Sequence, residues 1–200
     1  MNGGAWLEIE GVRVDWLYRE IERLASVVED CRAGRITADY YLGLAHAYHN
    51  YIYIGDLVHC VPLHDPQRVV AALKALTRRY PAAMRAAIIQ KYTYDARFTL
   101  ENARKPAARG DLYMVSGGLF RCVAALVQVI YALNEAFFTG EKGSLEEAAA
   151  MKPAPAAFAR RARRILARPG SRPVELQASV ERMDLLVNEV EAIVANHGSG

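Results

Sequence analysis

The sequence predicts a mainly α protein with a small β portion: short antiparallel strands at the N-terminus, then an antiparallel helical bundle. Three observations predict it. Residues 5–18 alternate apolar and polar types with a period of two, the pattern of a half-buried strand. From Pro66 onward apolar residues return every three or four positions, the pattern of amphipathic helices. Gly34, Pro62, Pro81, Gly110 and Pro169-Gly170 punctuate these runs at helix spacing.

Ala5-Trp6-Leu7-Glu8-Ile9-Glu10 and Val12-Arg13-Val14-Asp15-Trp16-Leu17-Tyr18 read as two strands joined by a tight Glu-Gly turn. Val12, Val14 and Trp16 share one face; Arg13, Asp15 and Leu17 share the other. Two strands are not stable alone and need more sheet or a covering helix. Residues 19–31 follow a helical period, with Ile21, Leu24, Val27 and Val28 inward and Gly34 as the stop. Residues 35–60 fit both strand and helix patterns, because Tyr40, Tyr41, Tyr48, Tyr51 and Tyr53 crowd there; a helix is expected over roughly 47–60. Asp65 is placed to cap a helix opened by Pro66, with Val69, Leu73 and Leu76 as its stripe. The next helix spans 81–107 through Met84, Ile88, Tyr92, Ala96 and Leu100.

Gly110 breaks that helix and Asp111 caps the following one. Leu112, Val115, Leu119, Cys122, Leu126, Val129, Leu133 and Phe137 mark it out, and the short connection makes the two helices antiparallel neighbours. Gly117-Gly118 costs helix propensity of about 1 kcal/mol per glycine, which points to close approach of a backbone or a ligand. A short helix follows Ser144, a basic helix covers 158–167, and a last helix starting near Pro173 buries Leu176, Val180, Met183, Val187, Val190 and Val194. The tail from Asn196 is expected to fray.

The composition sets outer limits on function. Of 200 residues, 52% are hydrophobic and 24% charged, a globular balance. The net charge of +3 does not by itself imply nucleic acid, which is not an expected partner. Three widely spaced cysteines read as reduced thiols, so the expected compartment is the cytoplasm. The run free of Asp, Glu, Lys and Arg at 40–55 falls short of the ~18 residues of a membrane span, and no membrane partner is expected.

Among chemistry-bearing residues, Asp15 stands out as a strand carboxylate able to bind a metal or take a proton from a hydroxyl. The alternative is an edge-strand charge paired with Arg13 or Arg19. His46-x-x-His49 and His59-Cys60-x-x-x-His64 have spacings that zinc accepts, but no C-x-x-C accompanies them, and structural histidines are the favoured reading. Lys91, Asp95 and Asn102 form one polar stripe, Arg97, Glu101 and Lys105 another, and Arg121, Gln128 and Glu135 a third; solvated faces with i, i+4 pairs are favoured. Arg160, Arg161, Arg163, Arg164, Arg168 and Arg172 form a basic cluster, favoured as a solvated face. The phosphate-binding, dinucleotide, nucleophile-elbow and H-E-x-x-H motifs are absent.

The segment from Trp6 to Arg19 resembles the later strands of a nucleotidyltransferase-superfamily domain, the polymerase-β-like palm. The runs Asp95-Ala96-Arg97-Phe98 to Asn102-Ala103, Gly110-Asp111 and Leu133-Asn134-Glu135-Ala136-Phe137-Phe138 are similar to the helical domain of the same proteins. They also resemble the C-terminal bundle of aminoglycoside nucleotidyltransferases. The resemblance implies that residues 1–64 are a remnant of the α/β domain and 65–200 the helical bundle domain. It further implies transfer of a nucleoside monophosphate from an NTP to an acceptor with Mg2+. Asp15 matches the third carboxylate of that family, which helps hold the metal and activates the acceptor hydroxyl. Lys91, Arg97, Tyr113 and Arg121 are the implied substrate-binding residues.

The family's D-x-D or D-x-E after a Gly-Ser turn is not in this chain; its Gly-Ser pairs begin at Gly143, Gly170 and Gly198, all after Asp15. The expectation is therefore a nucleotidyltransferase-family protein that is incomplete and inactive as this chain alone. The alternative is a non-catalytic helical interaction module that pairs with a partner or catalytic subunit as a homo- or hetero-oligomer. In that case the heptad-like seams of the third bundle helix and the last helix would lie exposed.

Overall fold

The computed structural model describes residues 3–40 and 42–197. Its fold class is the expected one, eight helices and two small antiparallel sheets among the described residues. Strand β1 (Gly3–Ile9) pairs with β2 (Val12–Tyr18) in a register that sets Ile9 opposite Val12 and Trp6 opposite Asp15. The turn places Glu10 at φ 51° and Gly11 at φ 79°. Positive φ at both central residues suits a two-residue turn whose twist matches that of the strands.

Helix α1 (Ile21–Arg32) buries Leu24, Val28 and Cys31, whereas Ile21, expected inside, is 42% exposed. It stops at Gly34, whose φ of 78° suits glycine. The tyrosine-rich segment satisfies both patterns seen in its sequence because it contains both structures. Strand β3 (Ala38–Asp39) pairs with β4 (Tyr48–His49), and α2 (Ile52–His59) follows. The helix thus begins five residues after position 47, the preceding backbone being committed to the ribbon. Asn50 ties that ribbon together: its carbonyl accepts the Thr37 N–H at 2.9 Å and its amide donates to the Arg35 carbonyl at 3.1 Å. Tyr41 lies outside the described residues.

Helix α3 (Val69–Leu76) opens later than Pro66, after Arg68 turns the chain with φ 57°. Asp65 still serves it, accepting N–H groups from Val70 and Ala71 at 3.3 and 2.9 Å. Helix α4 (Ala82–Arg109) ends at Gly110 with φ 77°, and Asp111 caps α5 (Leu112–Leu133) by accepting the Met114 N–H at 3.0 Å. Helix α5 stops four residues before Phe137. Glu135 turns to φ 51° and the Ala136 N–H returns to the Tyr131 carbonyl, closing the helix end. The turn swings Phe138 into the core, edge-on to Tyr131 at 5.2 Å and to His49 at 5.6 Å. Helices α6 (Ser144–Ala150), α7 (Phe158–Ala167) and α8 (Pro173–His197) complete the chain. The expected fraying point at Asn196 falls inside α8, whereas residues 198–200, including Gly198, lie outside the described residues.

Helices α4, α5 and α8 form the axis of the molecule. At 1.5 Å per residue they span about 42, 33 and 38 Å. Helices α1 and α3 pack together with α2, and α1 also meets α4; α6 and α7 pack on α5, and α7 on α8. The core is one continuous cluster that runs from Leu24, Val28 and Cys31 through Tyr51, Ile54 and Leu57 to Ile88, Leu126, Met183 and Val187. Most of the α5 and α8 seams lies within it: Val115, Leu119, Cys122, Leu126, Val129, Leu176, Val180, Met183 and Val187 are all buried, whereas Leu112 at the start of α5 is 42% exposed. Helix α5 is long and apolar enough to cross a membrane, yet 56% of its most apolar stretch is buried among its neighbours, which is consistent with a soluble protein.

Candidate functional site

Asp15 stands exposed in the middle of β2. Strand alternation groups it with Arg13, Leu17, Trp6 and Glu8 on one face of the ribbon. The opposite face carries Ile9, Leu7, Val12, Val14, Trp16 and Tyr18. That face is apolar and largely bare: Val12 is 62% exposed, Tyr18 56%, Trp16 49% and Ile9 48%. Contact with the rest of the molecule concentrates at the end of the ribbon. There Arg19 pairs with Asp56 on α2 at 3.1 Å and lies 5.1 Å from the centre of the Tyr53 ring. Among the described residues no cluster of three or more His, Cys, Asp or Glu side chains is placed to hold a metal ion. Mg2+ demands near-octahedral oxygen coordination, so Asp15 by itself does not make such a site.

Tyr113 and Arg121 come together on a different part of the molecule. They line an open cavity of about 910 Å³ between α4 and α5 with Thr99, Asn102, Leu112, Met114, Ser116 and Gly117. Positions 113, 117 and 121 are successive turns of α5, so they share one stripe. The paired glycines explain themselves here in two ways. A Cβ at Gly118 would sit 3.4 Å from the Ala103 methyl and 3.8 Å from Thr99, so this position carries the close approach of α4. A Cβ at Gly117 would meet nothing within 4 Å; the missing side chain belongs to the cavity.

Lys91 and Arg97 are engaged elsewhere. Lys91 pairs with Asp95 one turn on at 2.8 Å, as an i, i+4 stripe on α4 allows. Arg97 reaches across to α8, meeting Asp184 and Glu191 at 2.6 Å each and donating to the Asn188 side chain at 2.5 Å. These bonds hold the guanidinium well above its ordinary range. Asp15 lines neither this cavity nor a second, smaller one.

The second cavity, about 170 Å³, lies further along α5 and is lined by His46, Phe120, Gln128, Glu141 and Ser144 among others. Around it runs a buried polar chain that the sequence does not announce. Tyr51 donates to Gln128 Oε1 at 2.8 Å, and His49 Nδ1 shares a hydrogen bond of 2.8 Å with the Tyr92 hydroxyl. His49 stacks on Tyr51 at 5.0 Å and lies 5.7 Å from His46, ring centre to ring centre. Burial pushes the His49 imidazole down to about 3, aided by the charges of His46 and Lys91. Burial, then the nearby Arg121 guanidinium, lowers His46 as well. Among the described residues, His46 Nδ1 and His49 Nε2 are buried without a hydrogen-bond partner.

Glu141 fixes the loop that carries His46. Its two carboxylate oxygens accept the consecutive N–H groups of Ala45, His46 and Ala47 at 2.7, 2.8 and 3.1 Å. The His46-x-x-His49 spacing sets the two imidazoles 5.7 Å apart in this cluster, with no metal-holding group among the described residues. Glu141 carries no sequence signal, because it contacts backbone some 95 residues away. Arg121 and His46 thus line different cavities, the first a cation, the second an imidazole whose proton affinity burial lowers. Comparison with protein families, with curated proteins and with solved structures finds no match to this chain.

Proposed function

We propose that the chain is part of a nucleotidyltransferase-type protein, with its β1–β2 ribbon forming the last two strands of a larger sheet. On this reading the protein transfers a nucleoside monophosphate from an NTP to an acceptor with Mg2+, and does so only when further strands supply the paired carboxylates. The observation that carries the reading is the bare ribbon. An isolated two-stranded sheet with an exposed apolar face is not a stable end point in water; in a larger sheet, covering helices would bury that face, and neighbouring strands would bring other acids beside Asp15 on the opposite one. Asp15 then takes the acceptor hydroxyl's proton, and Tyr113 and Arg121 face substrate, while Lys91 is held by Asp95. Arg97 acts from behind by holding α8. A cytoplasmic location belongs to the same proposal, supported by three cysteines free of disulfides.

The alternative, a non-catalytic interaction module, shares the support of the bare ribbon. It loses the exposed heptad seams that would have favoured it, since most of both is internal. The test is NTP turnover with Mg2+ by this chain joined to strands that carry a D-x-D, whether encoded next to it or supplied by a second chain. Asp15→Asn is expected to lower turnover about 100-fold with nucleotide affinity nearly unchanged. Equal turnover by the Asp15→Asn variant overturns the role of Asp15. A stable complex that never turns over NTP favours the interaction module.

A further inference from the structure

The α4–α5 cavity has the makings of a ligand site in its own right. Its lining is mainly apolar, and large side chains that would ordinarily be covered stand open at it: Tyr113 is 85% exposed, Met114 52% and Leu112 42%. The wall between them is glycine, Gly117, with free space where a side chain would project. Such a slot accepts a flat or slender apolar body. One charge faces it. Arg121 lines the cavity and makes no hydrogen bond or ion pair with any described side chain or backbone group. Three cations of α4 do find partners: Lys91 has Asp95, Arg97 has Asp184 and Glu191, and Arg104 has Glu101. Thr99, Asn102 and Ser116 add hydrogen-bonding side chains at the same wall.

We infer that this cavity binds a small amphipathic anion, its apolar or aromatic body lying along Gly117 between Leu112, Tyr113 and Met114, its single acidic group meeting Arg121. One guanidinium in an otherwise apolar lining matches one carboxylate or phosphate; a triphosphate would leave most of its charge against hydrocarbon. Pockets of this size with an apolar lining and few convergent polar groups are the usual form of small-molecule sites. An arginine fork suits carboxylate and phosphate alike. The inference shares Tyr113 and Arg121 with the transferase reading but needs neither nucleotide nor metal.

The test titrates the full chain with three fluorescent probes: 2-naphthoate, 2-naphthyl phosphate and neutral 2-naphthol. Both anions are expected to bind at least tenfold more tightly than naphthol, and the better of the two identifies the acidic group. Arg121→Gln should erase the preference for the anions while leaving naphthol binding unchanged. Gly117→Leu should fill the slot and remove binding of all three. Because leucine favours helix over glycine, its thermal midpoint should not fall, and Tyr113→Ala offers a second, exposed position that weakens all three. Naphthol binding as well as the anions, or full binding retained by Arg121→Gln or by Gly117→Leu, overturns the inference. NTP turnover by the strand-completed protein is read through Asp15→Asn, a residue outside this cavity, so the two readings fail separately.

Discussion

His49 shows how a single side chain ties stability to pH. It is fully buried, and its imidazole is held neutral far below the ordinary value of 6.5. The unfolded chain, by contrast, takes up a proton there as pH drops below about 6.5. Between pH 6.5 and 5, before carboxylates titrate, the unfolded state therefore binds more protons, and stability falls as pH falls, by up to about 1.4 kcal/mol per pH unit for one such group. His49→Phe preserves ring packing against Tyr51 and should flatten this slope by one proton in urea melts across that window. A slope unchanged by the substitution would place the acid sensitivity elsewhere. Arg97 makes the opposite kind of contribution, spread over three partners on α8. Its side chain is 30% exposed, so solvent screens part of it. Arg97→Met, which keeps the stem, should cost about 1–2 kcal/mol. A double-mutant cycle with Asp184→Asn should recover most of that as coupling, diminishing in high salt.

At the scale of elements, three helical glycines make separable predictions. A Cβ at Gly55 on α2 would run into the Phe138 carbonyl oxygen, so Gly55→Ala forces backbone apart and should destabilise by about 1–3 kcal/mol. Gly117→Ala meets open space and should stabilise by about 0.5–1 kcal/mol. Gly118→Ala presses on the Ala103 methyl at 3.4 Å and should fall between them. Thermal unfolding of the three variants orders them. The elements themselves were largely legible. The α5 stripe, the Gly110 and Gly34 stops, the Asp111 cap and the Glu10-Gly11 turn are local devices whose residue types dictate geometry within a few positions. Where structure departs from the local pattern, long-range contacts decide. Residues 48–49 turned from helix to strand because 38–39 lie beside them. Helix α5 stopped at Leu133 because Phe138 had to turn inward onto His49 and Tyr131.

Across the whole molecule the same division holds for function. Tyr113 and Arg121, which only the resemblance points to as substrate-binding residues, line one cavity two turns apart on α5. The Tyr51–Gln128 and His49–Tyr92 bonds, and the Glu141 grip on residues 45–47, join segments 43 to 96 residues apart. No single-chain pattern encodes such meetings. Asp15 remains the residue whose role depends most on what adjoins it. The bundle is complete around α4, α5 and α8, while the ribbon that carries Asp15 presents a bare face.

That ribbon also has an optical consequence. The chain contains two tryptophans, Trp6 and Trp16, and both belong to it. Indole emission therefore reports on the hairpin and is nearly silent about the bundle, whose state shows instead in far-ultraviolet dichroism. The two signals follow different events, and a blue shift of the indole band without any change in ellipticity is the spectroscopic mark of something settling onto the strands.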